Sequence, residues 1–156
     1  MGPKIKAVVD SGPLIHLNEI GAVAALSIFD CVSPPAVQEE VRQIPNFVKI
    51  KSGFETDLVQ ILQNEFALGL GESECIALAK TEKIPLFLTD DLDARTTAEQ
   101  FDLEPHGTVG ILLKAYKKKI FSKKQTVEYV QKLKTHSTLY ITTDLIRFIL
   151  DELQKN

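Results

Sequence analysis

The sequence predicts an α/β domain in which helices cover both faces of a parallel sheet. Three observations support this fold class. The chain has 156 residues, 44% of them apolar, which is the size and composition of one globular domain. Short apolar runs rich in β-branched residues alternate with segments of helical periodicity. The apolar runs end in turn residues, as buried parallel strands do. We therefore expect a single domain over residues 1–156.

The strands are predicted from short apolar runs with turn residues on either side. In chain order they cover residues 5–9, 31–33, 48–50, 84–88 and 103–106. Pro34 and Pro35 stop the second strand, because proline cannot donate a backbone hydrogen bond to a sheet. The third run is short and alternates apolar with polar residues, which favours an edge strand.

The helices are predicted from apolar residues at helical spacing and from capping residues. They cover residues 13–29 with a bend at Gly21, 36–42, 58–66, 72–80 and 95–100, and they fill the chain after residue 106. Pro35 suits the first position of the second helix, since its missing N–H would be unpaired there in any case. Strands that alternate with helices in this way imply a parallel sheet between two helical layers.

Acidic residues occur where predicted strands end or where the following helices lie. They are Asp10, Glu40, Glu72, Asp90, Asp91 and Asp93. Ligands of a parallel α/β sheet bind at the carboxyl ends of its strands, so these positions are candidates for one site. Carboxylates that converge repel one another strongly without a cation, so their gathering at one point would imply a metal ion.

Oxygen ligands without sulfur or nitrogen suit Mg²⁺ or Mn²⁺. Two such ions, ~3.5–4 Å apart, can activate a water and stabilise the leaving oxygen of a phosphodiester. Each acid also has a purely structural interpretation. Asp10 and Asp91 can cap helices, Glu72 can favour a helix N-terminus, and Glu40 can be a solvated helix residue. The residues taken alone leave both interpretations open.

Other site chemistries have weaker support. Ser11 has no base in a triad-like pattern, the pair Gly69 and Gly71 lacks the third glycine of a dinucleotide fingerprint, and no phosphate-binding loop occurs. Cys31 and Cys75 lie far apart without zinc-binding spacing, so we expect buried, reduced thiols of an intracellular protein. No apolar run approaches the ~20 residues that span a bilayer, and the first residues contain no apolar signal segment. We expect a cytoplasmic protein with no membrane association.

Five segments, in order across nearly the whole chain, resemble the PIN-domain family of metal-dependent ribonucleases, which includes toxins of the VapC type. They are Val8–Ile15, Pro35–Val41, Leu70–Ala79, Leu86–Asp91 and His106–Leu113. The last segment is similar to one found in a subgroup of uncharacterised prokaryotic PIN proteins. Each motif is short, but five motifs in the right order are fairly specific.

The resemblance implies a three-layer α/β/α fold around a mostly parallel sheet of four or five strands. It also implies hydrolysis of RNA by a water bound to Mg²⁺ or Mn²⁺. Its catalytic acids would be Asp10, Glu40, Glu72 and Asp91. Asp10, Glu72 and Asp91 would hold metal, with Asp90 and Asp93 as auxiliary ligands.

The other roles implied by the resemblance are supporting ones. Glu40 would hold a second ion or position the water, and Glu74 is a weaker candidate than Glu72 for the third acid. The hydroxyls of Ser11 and Thr89 would orient carboxylates or waters, although both can equally be caps or turn residues.

The net charge of -3 combines two opposite regions. Between Gly107 and His136, eight lysines stand against one glutamate, a net of +7, and the rest of the chain carries -10. A cleft of carboxylates repels RNA unless basic residues hold the phosphates, so lysines of this stretch are candidate RNA-binding residues. They are Lys114, Lys117, Lys118, Lys119, Lys123 and Lys124. A solvated helix face would have the same composition, and no aromatic residues alternate with these lysines to indicate base stacking.

Partners and competing functions follow from the same residues. PIN proteins often pair, so part of the apolar face between Leu145 and Leu153 can serve a homodimer, and a toxin would bind a small antitoxin. The alternative is a PIN-like RNA-binding or scaffold protein without turnover, against which the intact acids count. A phosphoryl-transfer enzyme of the haloacid-dehalogenase type is disfavoured, because Gly12 occupies the position of its second aspartate.

Overall fold

The structure, a computed structural model, describes residues 3–155. Its strands form one parallel sheet in the order β3-β2-β1-β4-β5. They are β1 Ile5–Val9, β2 Phe29–Ser33, β3 Lys49–Ile50, β4 Leu86–Leu88 and β5 Glu104–His106. The α-helices are α1 Ser11–Glu19, α2 Pro35–Glu40, α3 Thr56–Glu65, α4 Leu70–Glu82, α5 Leu92–Gln100, α6 Thr108–Lys117, α7 Lys123–His136 and α8 Thr143–Gln154. A 3₁₀ helix covers Val23–Ile28.

The central strand β1 is buried on both faces. Its residues Ala7, Val8 and Val9 are fully buried, as is typical of a parallel strand between two helical layers. In the register of the sheet, Val9 lies opposite Leu88 of β4. The strand order runs outward from β1 to β3 on one side and from β4 to β5 on the other. The crevice between β1 and β4 is therefore the topological switch point.

The helices form a layer on each face of the sheet. On one side α4 packs on β1 and β4, and α2 and α3 pack against α4. On the other side α1 and the 3₁₀ helix pack with α6, and α7 and α8 extend that layer. The predicted α/β/α class is confirmed, and the sheet has five strands that are all parallel.

Several predicted boundaries differ from the structure for local reasons. The bent helix predicted over 13–29 is α1 followed by the 3₁₀ helix, with Gly21 at φ 76° between them, and Phe29 belongs to β2. The strand predicted from Ile84 begins at Leu86, because the Ile84 N–H caps α4 by donating to the Ala79 carbonyl at 2.8 Å. The second helix ends at Glu40 instead of residue 42, since Val41 is extended.

The core confirms that both cysteines are buried and unpaired, as predicted. Cys31 and Cys75 are free and buried, and burial raises the pKa of Cys31 to about 12, so this thiol stays protonated at neutral pH. The apolar face of α8 is divided: Ile146, Ile149 and Leu153 are buried, whereas Leu145 and Phe148 are exposed. Within residues 3–155, no helix combines the length and apolarity needed to cross a membrane.

Candidate active site

The carboxyl ends of β1 and β4 bring Asp10 and Thr89 together at the switch point. The Asp10 N–H continues the ladder by donating to the Leu88 carbonyl at 2.9 Å. The Thr89 hydroxyl donates to Oδ2 of Asp10 at 2.8 Å, and Oδ1 accepts from the Ser11 N–H at 2.8 Å. Asp10 thus caps α1, as its structural interpretation predicts, and also faces the site.

Asp10 has an unusually high proton affinity for a carboxyl group. It is only 4% exposed, and burial raises its pKa from 3.8 to about 7. The hydrogen bonds from Thr89 and Ser11 lower the pKa, but the charges of Glu72 and Glu40 raise it again. The neighbouring donors therefore offset only part of the cost of burying a negative charge on Asp10.

Glu40 and Glu72 approach the same site from α2 and α4. The Ser11 hydroxyl donates to Oε2 of Glu40 at 3.0 Å. The Oε1 atom of Glu40 lies where a Cβ on residue 71 would stand, so Gly71 is the residue type that admits this carboxylate.

Glu72 is the second acid of the site whose pKa is raised. Burial raises it most, the charges of Asp91 and Glu40 add to the rise, and the backbone N–H groups of Glu72 and Gly69 counter it. Its carboxylate curls back over Gly69, where Oε2 lies 2.6 Å from the position of a Cβ. Glu72 thus faces two other carboxylates from the first turn of α4.

Asp91 completes the group from the start of α5. Its Oδ1 caps α5 by accepting from the Ala94 N–H at 2.8 Å. Its own N–H donates to the Thr89 hydroxyl at 3.2 Å, so Thr89 positions both Asp91 and Asp10. The structure therefore brings together Asp10, Glu40, Glu72 and Asp91, which come from four separate segments of the chain.

Asp90 and Asp93, predicted as auxiliary ligands, are placed differently. Both Asp90 oxygens are engaged: Oδ1 accepts from the Thr108 N–H at 2.7 Å, and Oδ2 contacts the Thr108 hydroxyl at 2.5 Å and Nδ1 of His16 at 2.7 Å. Burial would raise the pKa of Asp90, but the hydrogen bonds from His16 and Thr108 outweigh it and lower the pKa. Asp93 is exposed in the first turn of α5.

The donor set of the four acids fits a hard divalent cation. All its atoms are carboxylate oxygens, and two of the acids have pKa values raised in part by the other carboxylates. Across residues 3–155, no three His, Cys, Asp or Glu side chains already stand in a geometry that could hold an ion. Water molecules usually complete the coordination of Mg²⁺, so few protein ligands are needed.

A cavity of about 680 Å³ opens on the acids and extends toward the chain between α7 and α8. Asp10, Glu72 and Asp91 form part of its wall. Another part is apolar and comes from Leu92, Leu139, Tyr140, Ile141 and Leu145. The wall between them includes His16, Arg95, His106 and Thr108. This volume is in the range of ligand pockets.

The lysines predicted to bind RNA lie away from this cavity. Thr108 at the start of α6 contacts Asp90, whereas Lys114 near its end lies 5.7 Å from the ring centroid of Phe29, which begins β2. A helix of ten residues rises ~15 Å, so the lysines that end α6 and follow it are at the opposite end of this helix. No lysine is among the described residues that line the cavity.

Sequence reasoning gave no role in the site to His16, Arg95, Gly107 or Tyr140, all of which line the cavity. His16 is indistinguishable from a helix-face histidine until the fold brings it 2.7 Å from Asp90. Gly107 lies within the fifth motif, and a Cβ there would stand 2.8 Å from Oδ1 of Asp90 and 3.0 Å from Nη1 of Arg95. The glycine directly before α6, within the fifth motif, was the one signal available in the sequence.

Comparison with known families agrees with this geometry. A family model described as PIN domain matches residues 6–155, which is nearly the whole chain. Searches of curated proteins and of solved structures gave no significant match.

Proposed function

The chain belongs to the PIN-domain family, and we propose that it is an endoribonuclease that hydrolyses RNA phosphodiester bonds with a metal-activated water. PIN domains are generally nucleases, so the family assignment supports hydrolysis of nucleic acid. The observation that carries the proposal is the convergence of Asp10, Glu40, Glu72 and Asp91 at the switch point of the sheet. Burial and mutual repulsion raise the pKa values of Asp10 and Glu72, which favours a cation between these acids.

In this proposal Asp10, Glu72 and Asp91 hold Mg²⁺ or Mn²⁺. The bound ion supplies Lewis-acid stabilisation of the phosphate and lowers the pKa of a bound water. Asp10 must lose its proton before it can bind metal, so its pKa of about 7 makes metal affinity pH-dependent. Asp90 and Asp93 are outside our ligand set. Asp90 already accepts from His16 and Thr108, and Asp93, unlike Asp91, does not line the cavity.

The surrounding hydroxyls hold the acids in place. Thr89 donates to Asp10 and accepts from the Asp91 N–H, so it sets the separation of two proposed ligands. Ser11 donates to Glu40 and holds this carboxylate beside Gly71. Glu40 would position the attacking water or share a second ion. Such outer contacts typically contribute 10–100-fold to metal affinity or activity.

The decisive experiment is metal-dependent cleavage of a labelled single-stranded RNA by the purified protein. We expect cleavage with Mn²⁺ or Mg²⁺, none with EDTA, and recovery when Mn²⁺ is restored. Asp91→Asn should lower the rate by about a hundredfold or more, because metal stabilisation of the transition state amounts to several kcal/mol. Asp93→Asn is the matched control in the same helix and should cleave at the wild-type rate.

Two outcomes would contradict the proposal. Cleavage that survives both EDTA and Asp91→Asn would exclude the metal mechanism at these acids. Mn²⁺ or RNA binding without any cleavage of a range of RNAs would favour the alternative of an RNA-binding or scaffold protein.

The remaining expectations are proposals of narrower scope. A toxin role with a small antitoxin, a homodimer, a cytoplasmic location and a single domain over residues 1–156 stay predictions. The six lysines between Lys114 and Lys124 lie about one helix length from the acids. They could therefore bind phosphates only of an RNA that is several nucleotides long.

A further inference from the structure

Arg95 is a cation on the wall of a cavity that also contains acidic residues. It lies one turn after Asp91 in α5, is partly buried, and its Nη1 packs over Gly107. Throughout residues 3–155, no carboxylate comes within 4.0 Å of its guanidinium and no side-chain hydrogen bond engages it. Asp90 lies on the same side of Gly107, but its oxygens are taken by His16 and Thr108. The five donors of Arg95 are therefore available to an anion from outside the chain.

Tyr140 presents an aromatic ring to the same cavity. It is 89% exposed, and its neighbours on the wall include Leu92, which is 75% exposed, and Leu145, which is 44% exposed. The backbone around it is nonetheless anchored. On one side, the N–H and hydroxyl of Thr138 both donate to Oε1 of Glu19, at 2.8 and 3.0 Å.

The other side of the segment is anchored as well. Lys134 Nζ donates to the Ile141 carbonyl at 3.0 Å, and the Ile141 side chain is buried. Tyr140 is thus an exposed ring on a fixed support, which loses little conformational entropy when a ligand stacks on it.

We propose that Arg95 and Tyr140 form a nucleotide subsite of the active site, in which the guanidinium binds a phosphate and the ring stacks on the base of a single-stranded RNA. This inference rests on the proposed function and deepens it. An arginine and an aromatic ring on one wall are the combination with which proteins hold single strands, since the cation takes the backbone and the ring takes a base. The base must be unpaired, because a ring can stack only on a base that is not already stacked in a helix.

The position of the subsite favours a nucleic acid over a protein partner. Arg95 and Tyr140 share one cavity with Asp10, Glu72 and Asp91, so a nucleotide bound there is continuous with the strand at the acids. A free cation beside these acids also lowers the cost of bringing a phosphate to them. Arg95 and Tyr140 are binding and positioning residues in this proposal, and the acids remain the catalytic residues.

The test uses the absence of tryptophan from the sequence. Tyr140→Trp introduces a single fluorophore that can still stack, and binding of a short single-stranded oligoadenylate should quench it. A duplex RNA of the same length should not. Phe148→Trp is the matched control, since Phe148 is 61% exposed on α8 but does not line the cavity. Its fluorescence should not respond to either RNA.

Affinity measurements then separate the two residues. Tyr140→Ala should weaken binding of the oligonucleotide by about tenfold, and Tyr140→Phe should retain it, because the ring stacks without its hydroxyl. Arg95→Ala should lower affinity and reduce the slope of log K against log salt by about 0.7, whereas Arg95→Lys should keep the slope. Arg147→Ala, an exposed arginine of α8 outside the cavity, should leave both quantities unchanged.

The proposal is overturned if Tyr140→Ala binds the oligonucleotide as tightly as the wild type, or if the salt slope of Arg95→Ala equals that of Arg147→Ala. A Tyr140→Ala protein that loses self-association in sedimentation while it keeps RNA affinity would make this surface an interface between copies. Because binding is read without cleavage, its failure is distinguishable from failure of the nuclease proposal: predicted binding without cleavage rejects only the nuclease, and cleavage without these binding effects rejects only the subsite.

Discussion

Asp10 and Asp90 follow neighbouring strands and are both largely buried, yet their surroundings affect their charges in opposite ways. The pKa of Asp10 rises to about 7, because burial and the charges of Glu72 and Glu40 outweigh its two hydrogen bonds. The pKa of Asp90 falls, because His16 and Thr108 outweigh its burial. Asp90 is a satisfied structural charge that joins α1 to α6, whereas Asp10 is a buried charge that still lacks a counter-charge.

The difference shows that acids at neighbouring strand ends can have opposite electrostatic surroundings. A carboxylate such as Asp90, whose hydrogen bonds outweigh the cost of its burial, stabilises the folded chain and has little affinity left for a cation. A carboxylate among other carboxylates destabilises the metal-free protein and gains most from a cation. Function and stability should therefore respond in opposite ways to substitutions at the two positions.

The largest effect is expected for Asp10→Asn. We expect the rate of metal-dependent RNA cleavage to fall by about a hundredfold or more, because a proposed ligand is lost. Above pH 7 the metal-free variant should have a higher free energy of unfolding than the wild type, because asparagine carries no buried charge. Its Oδ1 can still accept from the Ser11 N–H, and its amide NH₂ can donate to the Thr89 hydroxyl oxygen. Initial cleavage rates and urea unfolding in EDTA measure the two effects.

Asp57→Asn is the control for this substitution, because Asp57 is an exposed aspartate in the first turn of α3. It should change neither quantity appreciably. If Asp10→Asn lost stability as well as activity, Asp10 would be a structural residue like Asp90.

Asp90→Ala should have the next largest effect, on stability. The change removes the acceptor of the Thr108 N–H and of two side chains, and each buried group left without a partner costs ~1–3 kcal/mol. We expect the free energy of unfolding to fall by about 3 kcal/mol or more in urea denaturation.

Asp93→Ala, three residues away and exposed, should cost less than ~1 kcal/mol, which is the usual contribution of an acid at a helix start. Equal losses in the two variants would mean that the contacts of Asp90 with His16 and Thr108 contribute little.

A further expected effect is a difference in pH dependence, which is gradual for each pH unit. Between pH 3.8 and about 7 the folded protein keeps a proton on Asp10 that the unfolded chain has released, so stability falls as pH rises, by ~1.4 kcal/mol per pH unit. The raised pKa of Glu72 acts in the same direction. The lowered pKa of Asp90 acts in the opposite direction, and its contribution is lost only as pH falls below the ordinary aspartate range.

Urea unfolding in EDTA at several pH values, for the wild type and Asp10→Asn, measures this slope. Subtracting the free energies of unfolding of the two proteins at each pH removes the contribution of the groups that titrate in both. Their curves should diverge as pH rises through this range and run parallel above pH 7; curves that are parallel throughout would mean that Asp10 ionises normally.

Much of the fold was predictable, because each strand and helix leaves a local pattern. The β1 boundaries at Ile5 and Val9, Pro35 at the first position of α2 and the edge strand β3 all agree with prediction. Predicted boundaries were wrong where a backbone N–H caps the preceding helix. The strand predicted from Ile84 begins later, for example, because the Ile84 N–H donates to the end of α4. Such caps depend on single hydrogen bonds that periodicity does not register.

For the candidate site, the sequence alone selected the acids and the hydroxyls of Ser11 and Thr89 as candidates and indicated the family, since residue types and their order along the chain are local information. Only the tertiary structure showed that Asp90 pairs with His16 whereas Asp91 caps α5. It also showed that the lysines from Lys114 onward lie at the end of α6 far from the acids, and that Arg95 and Tyr140 line one cavity. The physical reason is that pKa values, ion pairing and cavity walls depend on distances between distant segments, which are set by sheet register and helix packing.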